Sequence, residues 1–297
     1  MARKKRRFRR LRHSLTVPLV KALILSCRVT PRPFLRVQAW ILGSLLAFLP
    51  LKGGRVIRLH REKVMDRLGI KASTRSIYAS VIQGYFDFFH LNGKGDASFC
   101  RAVRVQGEEN LHAALGAGRG VIAVTAHFSA WELIPRAVRL LGVETGVVGR
   151  ELTHRKASRV LEDLRASHGI HVLSRDGGVG PIVRLLRSNA AIGILIDQYT
   201  SRVRSETVDF LGIPARTPSA PATLSRKLNV PVVPMHIERL RDNSYLITIE
   251  EPLEYSPDIL DILNGRIGGW ILSAPEQWVW FHERWKGTGL REKAPNR

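Results

Sequence analysis

Cysteine is scarce in this chain: Cys27 and Cys100 are the only two among 297 residues, and no Cys-x-x-Cys pair exists. That excludes a zinc site or a disulfide framework of recognisable spacing and leaves two free thiols. Also missing are a Gly-x-Gly-x-x-Gly run after a strand pattern, a Walker phosphate loop and a Gly-x-Ser-x-Gly elbow. Dinucleotide, nucleotide and serine-nucleophile chemistry therefore lose their usual signatures, and no cofactor or metal is expected. Acidic residues are few as well: 25 Asp and Glu against 47 Lys and Arg give a net charge of +22. A surplus of that size calls for an anionic partner, whether nucleic acid, acidic lipid or acidic protein. No zinc-finger spacing, RNA-recognition aromatics or helix-turn-helix pattern is found, so nucleic acid is not the expected partner.

A hydrophobic content of 44% with 24% charged residues fits a folded chain. The first twelve residues, "MARKKRRFRRLR", carry eight Lys or Arg. Two apolar stretches follow, "SLTVPLVKALILSC" and "FLRVQAWILGSLLAFLPL", with Pro31 and Pro33 near their junction. Lys21 interrupts the first, and no small-x-small site follows it, which argues against a cleaved signal peptide. The second approaches membrane-spanning length. A basic start followed by apolar helices points to a segment that dips into or crosses the bilayer. The positive residues would then stay on the cytoplasmic side. A buried helical hairpin is the alternative.

Further on, "HREKVMDRLGIKASTRSIYASVIQGYFDFFHLNG" reads as two helices. From Val103 short apolar runs alternate with helical patterns. "GVIAVTAH", "TGVVGRE", "IHVLSR", "AIGILID", "VPVVPMHIERL" and "SYLITIEEPL" read as strands, with helices between most of them. The fold class expected is α/β, with a mixed central sheet flanked by helices. We divide the chain into residues 1–60, a basic arm with membrane-associated apolar helices, and 61–297, the α/β domain. The closing "PEQWVWFHERWK" reads as an aromatic and basic helix.

His127 stands where the strand "GVIAVTAH" gives way to the helical "SAWELIPRAVRLLG". Active sites on such sheets sit beyond the carboxyl ends of the strands. Ser129 and Glu132 form a Ser-x-x-Glu capping box, and the same Glu132 can reach back to His127. A histidine that takes a proton from a hydroxyl needs its other ring nitrogen bonded to an acceptor. No serine or cysteine nucleophile completes a triad. The pair therefore suggests a base acting on the substrate's own hydroxyl, without a covalent enzyme intermediate.

"HFSAWE" resembles the His-x-x-x-x-Glu motif of the bacterial lipid A biosynthesis acyltransferases, the lauroyl and myristoyl transferase family. "DQYTSRVRSETVDFLGIPARTPSAPATLSRKLNVPVVP" and "PEQWVWFHERWK" resemble two further family segments. The resemblance implies a glycerolipid-acyltransferase-like fold and transfer of an acyl chain from an acyl carrier protein thioester to a hydroxyl of a lipid A precursor. It assigns His127 as general base and Glu132 as the residue that orients it. Backbone N–H groups at the start of the following helix would hold the oxyanion. Arg150 matches a position that holds phosphate. Asp197 and Gln198 match a recurring pair, a strand-end carboxylate that either positions the acceptor or only caps a loop, and Arg216 and Thr217 either line the acyl or phosphate pocket or are structural. His282, Arg284 and Lys286 would face lipid phosphates or the carrier protein. The implied location is the bacterial inner membrane, with the site toward the cytoplasm. Where family members carry Gly-Asn inside the motif, this chain has Ser129–Ala130, which leaves the acceptor open. Another lipid such as a lysophospholipid is the alternative acceptor, and a non-enzymatic basic protein that binds nucleic acid or membrane is the alternative of a different class.

Overall fold

The computed structural model describes residues 17–149, 155–174 and 177–288. Among these residues, nine strands and eleven α-helices follow in chain order. Residues 17–29 (α1), Arg32–Phe48 (α2), Lys52–His60 (α3), Thr74–Leu91 (α4) and Asp96–Ala102 (α5) precede the first strand. Then come β1 (Val103–Gln106), α6 (Glu108–Leu115), β2 (Val121–Thr125), α7 (Ile134–Leu140), β3 (Thr145–Gly149), α8 (Arg155–Ala166) and β4 (Ile170–Ser174). The chain continues with α9 (Gly180–Arg187), β5 (Ala191–Leu195), β6 (Ser205–Phe210), β7 (Ile213–Pro218), α10 (Ala220–Leu228), β8 (Val232–Arg239), β9 (Tyr245–Ile249) and α11 (Ile259–Ser273).

Seven strands make one mixed sheet in the order β1-β9-β8-β2-β5-β3-β4. β8, β2, β5, β3 and β4 run parallel to one another, while β9 pairs antiparallel with β8 and carries β1 beside it. The expected α/β class with a mixed central sheet is what the chain adopts. Its centre is apolar on both faces: all five residues of β2 are buried, as a strand covered by helices on either side requires. β6 and β7 form a separate antiparallel hairpin against α11. Its connection is Leu211–Gly212, both at positive φ.

The closing segment departs from expectation. Instead of a helix over "PEQWVWFHERWK", a short 3-10 turn at Pro275–Gln277 leads into extended chain and turns. The indole N–H groups explain why. Trp278 donates to Asp197, Trp280 to the Pro275 carbonyl and Trp285 to the Phe210 carbonyl. One helix face could not send three indoles to such separate acceptors.

α2 packs on α4 through Leu35, Ala39 and Gly43, spaced four residues apart. A Cβ on Gly43 would lie 2.6 Å from the Ala79 nitrogen, so only glycine permits this approach. The opposite face of α2 carries Phe34, Val37, Ile41, Leu45 and Phe48, all exposed, Phe48 by 88%. Among the described residues no single helix is long and apolar enough to cross a membrane. Arg32–Phe48 and Lys52–Met65, bent by 85°, pass that test only as a broken pair.

Candidate active site at the carboxyl ends of two adjacent strands

β2 and β5 are parallel neighbours whose last paired rung joins Thr125 to Leu195. Two residues beyond that rung on each strand stand His127 and Asp197. The register alone therefore carries residues seventy positions apart to one place. His127 Nδ1 lies 2.8 Å from Asp197 Oδ1, and the His127 backbone N–H donates to Asp197 Oδ2 at 3.0 Å. Trp278 Nε1 donates to the same Oδ2 at 2.8 Å. The Asp197 carboxyl is fully buried. Burial by itself raises it, but the charge and hydrogen bonds of His127 and the bond from Trp278 outweigh burial and hold it below the ordinary carboxylate range. An ionised acceptor on Nδ1 fixes the imidazole tautomer with its proton there and leaves the Nε2 lone pair free. The His127 side chain remains 25% exposed.

The loop after His127 is not a capped helix start. Ser129 has φ +52°, and its N–H donates to the Gln277 carbonyl at 2.7 Å. Its hydroxyl is buried without a hydrogen-bond partner among the described residues. A 3-10 turn, Trp131–Leu133, precedes α7, and no side chain caps it. The capping-box reading of Ser129 is thus overturned, because a residue in the left-handed region turns its hydroxyl away from the N–H groups it would cap. Gly84 of α4 lets the loop lie close: a Cβ there would meet the Ser129 carbonyl at 2.9 Å.

Glu132 does not touch His127. It forms a two-armed ion pair with Arg165 of α8, at 2.7 Å to Nη2 and 3.1 Å to Nε, and both side chains are largely buried. The expectation that Glu132 orients the histidine is corrected by this geometry: Asp197 occupies the Nδ1 position. Trp131 packs edge-on against His127 at 5.0 Å and against Tyr85 at 5.4 Å between ring centres. Tyr85 is pushed up to about 12 by burial and by the Glu132 charge beside it.

Arg150 lies outside the described residues. Gln198 is half-buried next to Asp197. Arg216 and Thr217 belong to β7 and not to a turn. Arg216 Nε donates to Ser205 across the hairpin at 3.0 Å. Thr217 Oγ1 is buried and accepts from Asn264 of α11 at 3.0 Å and from Arg284 at 2.6 Å. Their observed partners are those of the hairpin frame, and neither contacts the His127–Asp197 pair. Arg284, expected to face an anionic partner, is fully buried. Lys286 is half-exposed, 5.8 Å from the Tyr199 ring centre. His282 is half-buried near Asp197 and His127, and burial holds it down to about 4. Sequence reasoning missed Trp278 and Arg165 as parts of the site. The only signal for the first was an aromatic in the closing motif, and the second had none.

A family model described as bacterial lipid A biosynthesis acyltransferase matches residues 70–287. Phosphatidylinositol mannoside acyltransferases from two Mycobacterium tuberculosis strains, CDC 1551/Oshkosh and ATCC 25618/H37Rv, are each 31% identical over 137 residues. The match takes in 44% of this chain and spans only 43% of theirs. A third, from Mycolicibacterium smegmatis, is 26% identical over 219 residues, 71% of each chain. With a sheet that brings His127 and Asp197 together and a family match running from before α4 to the closing motif, this chain belongs to the bacterial lipid A biosynthesis acyltransferase family.

Proposed function

We propose that the protein moves a fatty acyl chain from an acyl carrier protein thioester to a hydroxyl of a lipid A precursor, with His127 as the base. The observation that carries this reading is the ionised, fully buried Asp197 bonded to Nδ1 of a partly exposed histidine. Nε2 of His127 takes the acceptor hydroxyl proton as the oxygen attacks the thioester carbonyl. The tetrahedral adduct collapses with loss of the carrier thiolate, which receives the proton back from the imidazolium. Asp197 holds the tautomer and balances the imidazolium. The N–H groups of His127, Phe128 and Ser129 are already bonded within the protein. Those of Ala130 and Trp131 are therefore the nearest candidates for the oxyanion.

The acceptor class is an anionic glycolipid. Lipid A in the family description and phosphatidylinositol mannoside in the relatives' names both support it. The Ser129–Ala130 replacement within the motif keeps a lysophospholipid acceptor as the second reading. Docking on the bacterial inner membrane, with the site toward the cytoplasm, is supported by the exposed apolar face of α2 and by the basic surplus. Residues buried in membrane resist salt, while a purely electrostatic complex with nucleic acid washes off.

The test is acyl transfer by detergent-purified protein, with labelled acyl carrier protein thioesters and a panel of lipid acceptors, beside His127→Ala. Transfer to a lipid A precursor that collapses in the variant bears the reading out. Transfer only to a lysophospholipid replaces the acceptor, and equal transfer by His127→Ala removes the base.

A further inference from the structure

We propose that Arg284 is the buried countercharge of Asp197 and, through it, a positioning residue for His127. Among the described residues the buried carboxylates are Asp87 and Asp197, and the buried guanidiniums are Arg136 and Arg284. Asp87 is paired with Arg32 at 2.9 Å, and Arg136 with Asp96 at 2.7 Å. Arg284 and Asp197 remain, each fully buried: among the described residues Asp197 pairs with His127, and Arg284 has no ion-pair partner.

A buried cation without a countercharge is among the most costly arrangements a protein can hold. The bonds Arg284 makes do not neutralise it. Its Nη atoms donate to the Arg216 carbonyl and to Thr217 Oγ1, both uncharged, and its Nε has no partner among the described residues. Its guanidinium lies 4.4 Å from the centre of the Phe210 ring. Phe210 packs on Trp278 at 5.6 Å, and Trp278 donates to Asp197. Two ring contacts and one hydrogen bond thus link Arg284 to Asp197. Burial pulls Arg284 down to about 10, and the Asp197 charge is what acts against it.

The consequence for the base follows from sign. A base must have an unprotonated nitrogen to accept a proton, and an anion bonded to the other ring nitrogen works against that. A cation behind Asp197 opposes the anion's effect without disturbing the hydrogen bond to Nδ1. The other charged or titratable groups around His127 are His282 on the closing segment and the self-compensated Glu132–Arg165 pair that joins the following loop to α8. Neither His282, held neutral by burial, nor that pair supplies an opposing charge.

The inference rests on His127 as the base, but its first test needs no assay of transfer. Urea midpoints are measured for the full chain and for Arg284→Gln, Asp197→Asn and the double variant. Charge pairing predicts that Arg284→Gln lowers the midpoint less in the Asp197→Asn background than in the wild type. Folding of the double variant where Arg284→Gln alone fails would carry the same meaning. Equal losses in both backgrounds, or failure of both to fold, overturn the pairing. The second test is the pH profile of kcat/KM. The acid limb moves up by about one pH unit in Arg284→Gln and stays in place in Arg284→Lys, a displacement that loss of packing alone would not produce. If Arg284→Gln folds and its acid limb coincides with that of the wild type, Arg284 does not act on His127.

Discussion

Asp197 accepts three N–H groups at once: the His127 ring, the His127 backbone and the Trp278 indole. The backbone bond fixes where His127 begins, the ring bond fixes its tautomer, and the indole fixes the carboxylate itself. Trp278→Phe removes only the last of these. It should lower kcat about tenfold, the equivalent of one lost hydrogen bond to a charged acceptor, with KM nearly unchanged. Steady-state kinetics on the acyl donor checks this, and an unchanged kcat would make the indole bond irrelevant to the base.

Glu132 and Arg165 tie the loop after β2 to α8. Breaking one partner leaves a largely buried charge behind. Either Glu132→Ala or Arg165→Ala should then cost about 1–3 kcal/mol, toward the lower end for a pair that keeps some solvent contact. The double variant should be close to either single one. Urea denaturation of the three decides, and strictly additive losses would mean that the pair does not act as a unit.

Ser129 adopts a left-handed backbone and buries an unpartnered hydroxyl. Glycine removes both costs and adds chain entropy on unfolding. Ser129→Gly should therefore raise stability by about 1 kcal/mol. Ser129→Val should lower it, since a β-branched residue tolerates that backbone least. Thermal unfolding of the two variants tests the assignment, and a destabilised Ser129→Gly would contradict it.

Burial holds His60, His236 and His282 each at about 4. In the unfolded chain these rings titrate near about 6.5. The folded state thus disfavours their protonation. The stability they contribute is complete above pH 6.5 and is lost as pH falls from there toward 4, by at most about 1.4 kcal/mol per pH unit for each ring. Urea midpoints between pH 7.5 and 4 should fall steeply in this window, and His60→Asn should flatten the slope. An identical slope in that variant would remove His60 from the account.

The alternation of apolar strands and helical patterns made the α/β class legible, and His127 stood out because a titratable group ended a strand. The partner of His127 was not legible. Asp197 is seventy residues away, and only the adjacency of β2 and β5 in the sheet brings it near, a fact that no local pattern encodes. Glu132 looks like the partner because it is close along the chain, but Ser129 at φ +52° and the 3-10 turn that holds Glu132 redirect the backbone. The β6–β7 hairpin was hidden for a similar reason. Its connection places Leu211 at φ +58°, where sequence patterns lead one to expect glycine or asparagine. The closing aromatic segment was read as helix from composition. Its indoles instead serve tertiary acceptors, which override local propensity.

The most direct test of the central claim is kcat/KM for acyl transfer by Asp197→Asn beside the wild type, with Glu132→Gln as the comparison. If Asp197 sets the tautomer and supports the imidazolium, Asp197→Asn loses about 10³–10⁴ in kcat and correspondingly in kcat/KM. Glu132→Gln, which removes charge from a pair that does not touch His127, loses less. A wild-type rate for Asp197→Asn, with the collapse confined to Glu132→Gln, would contradict the account and return the orienting role to Glu132.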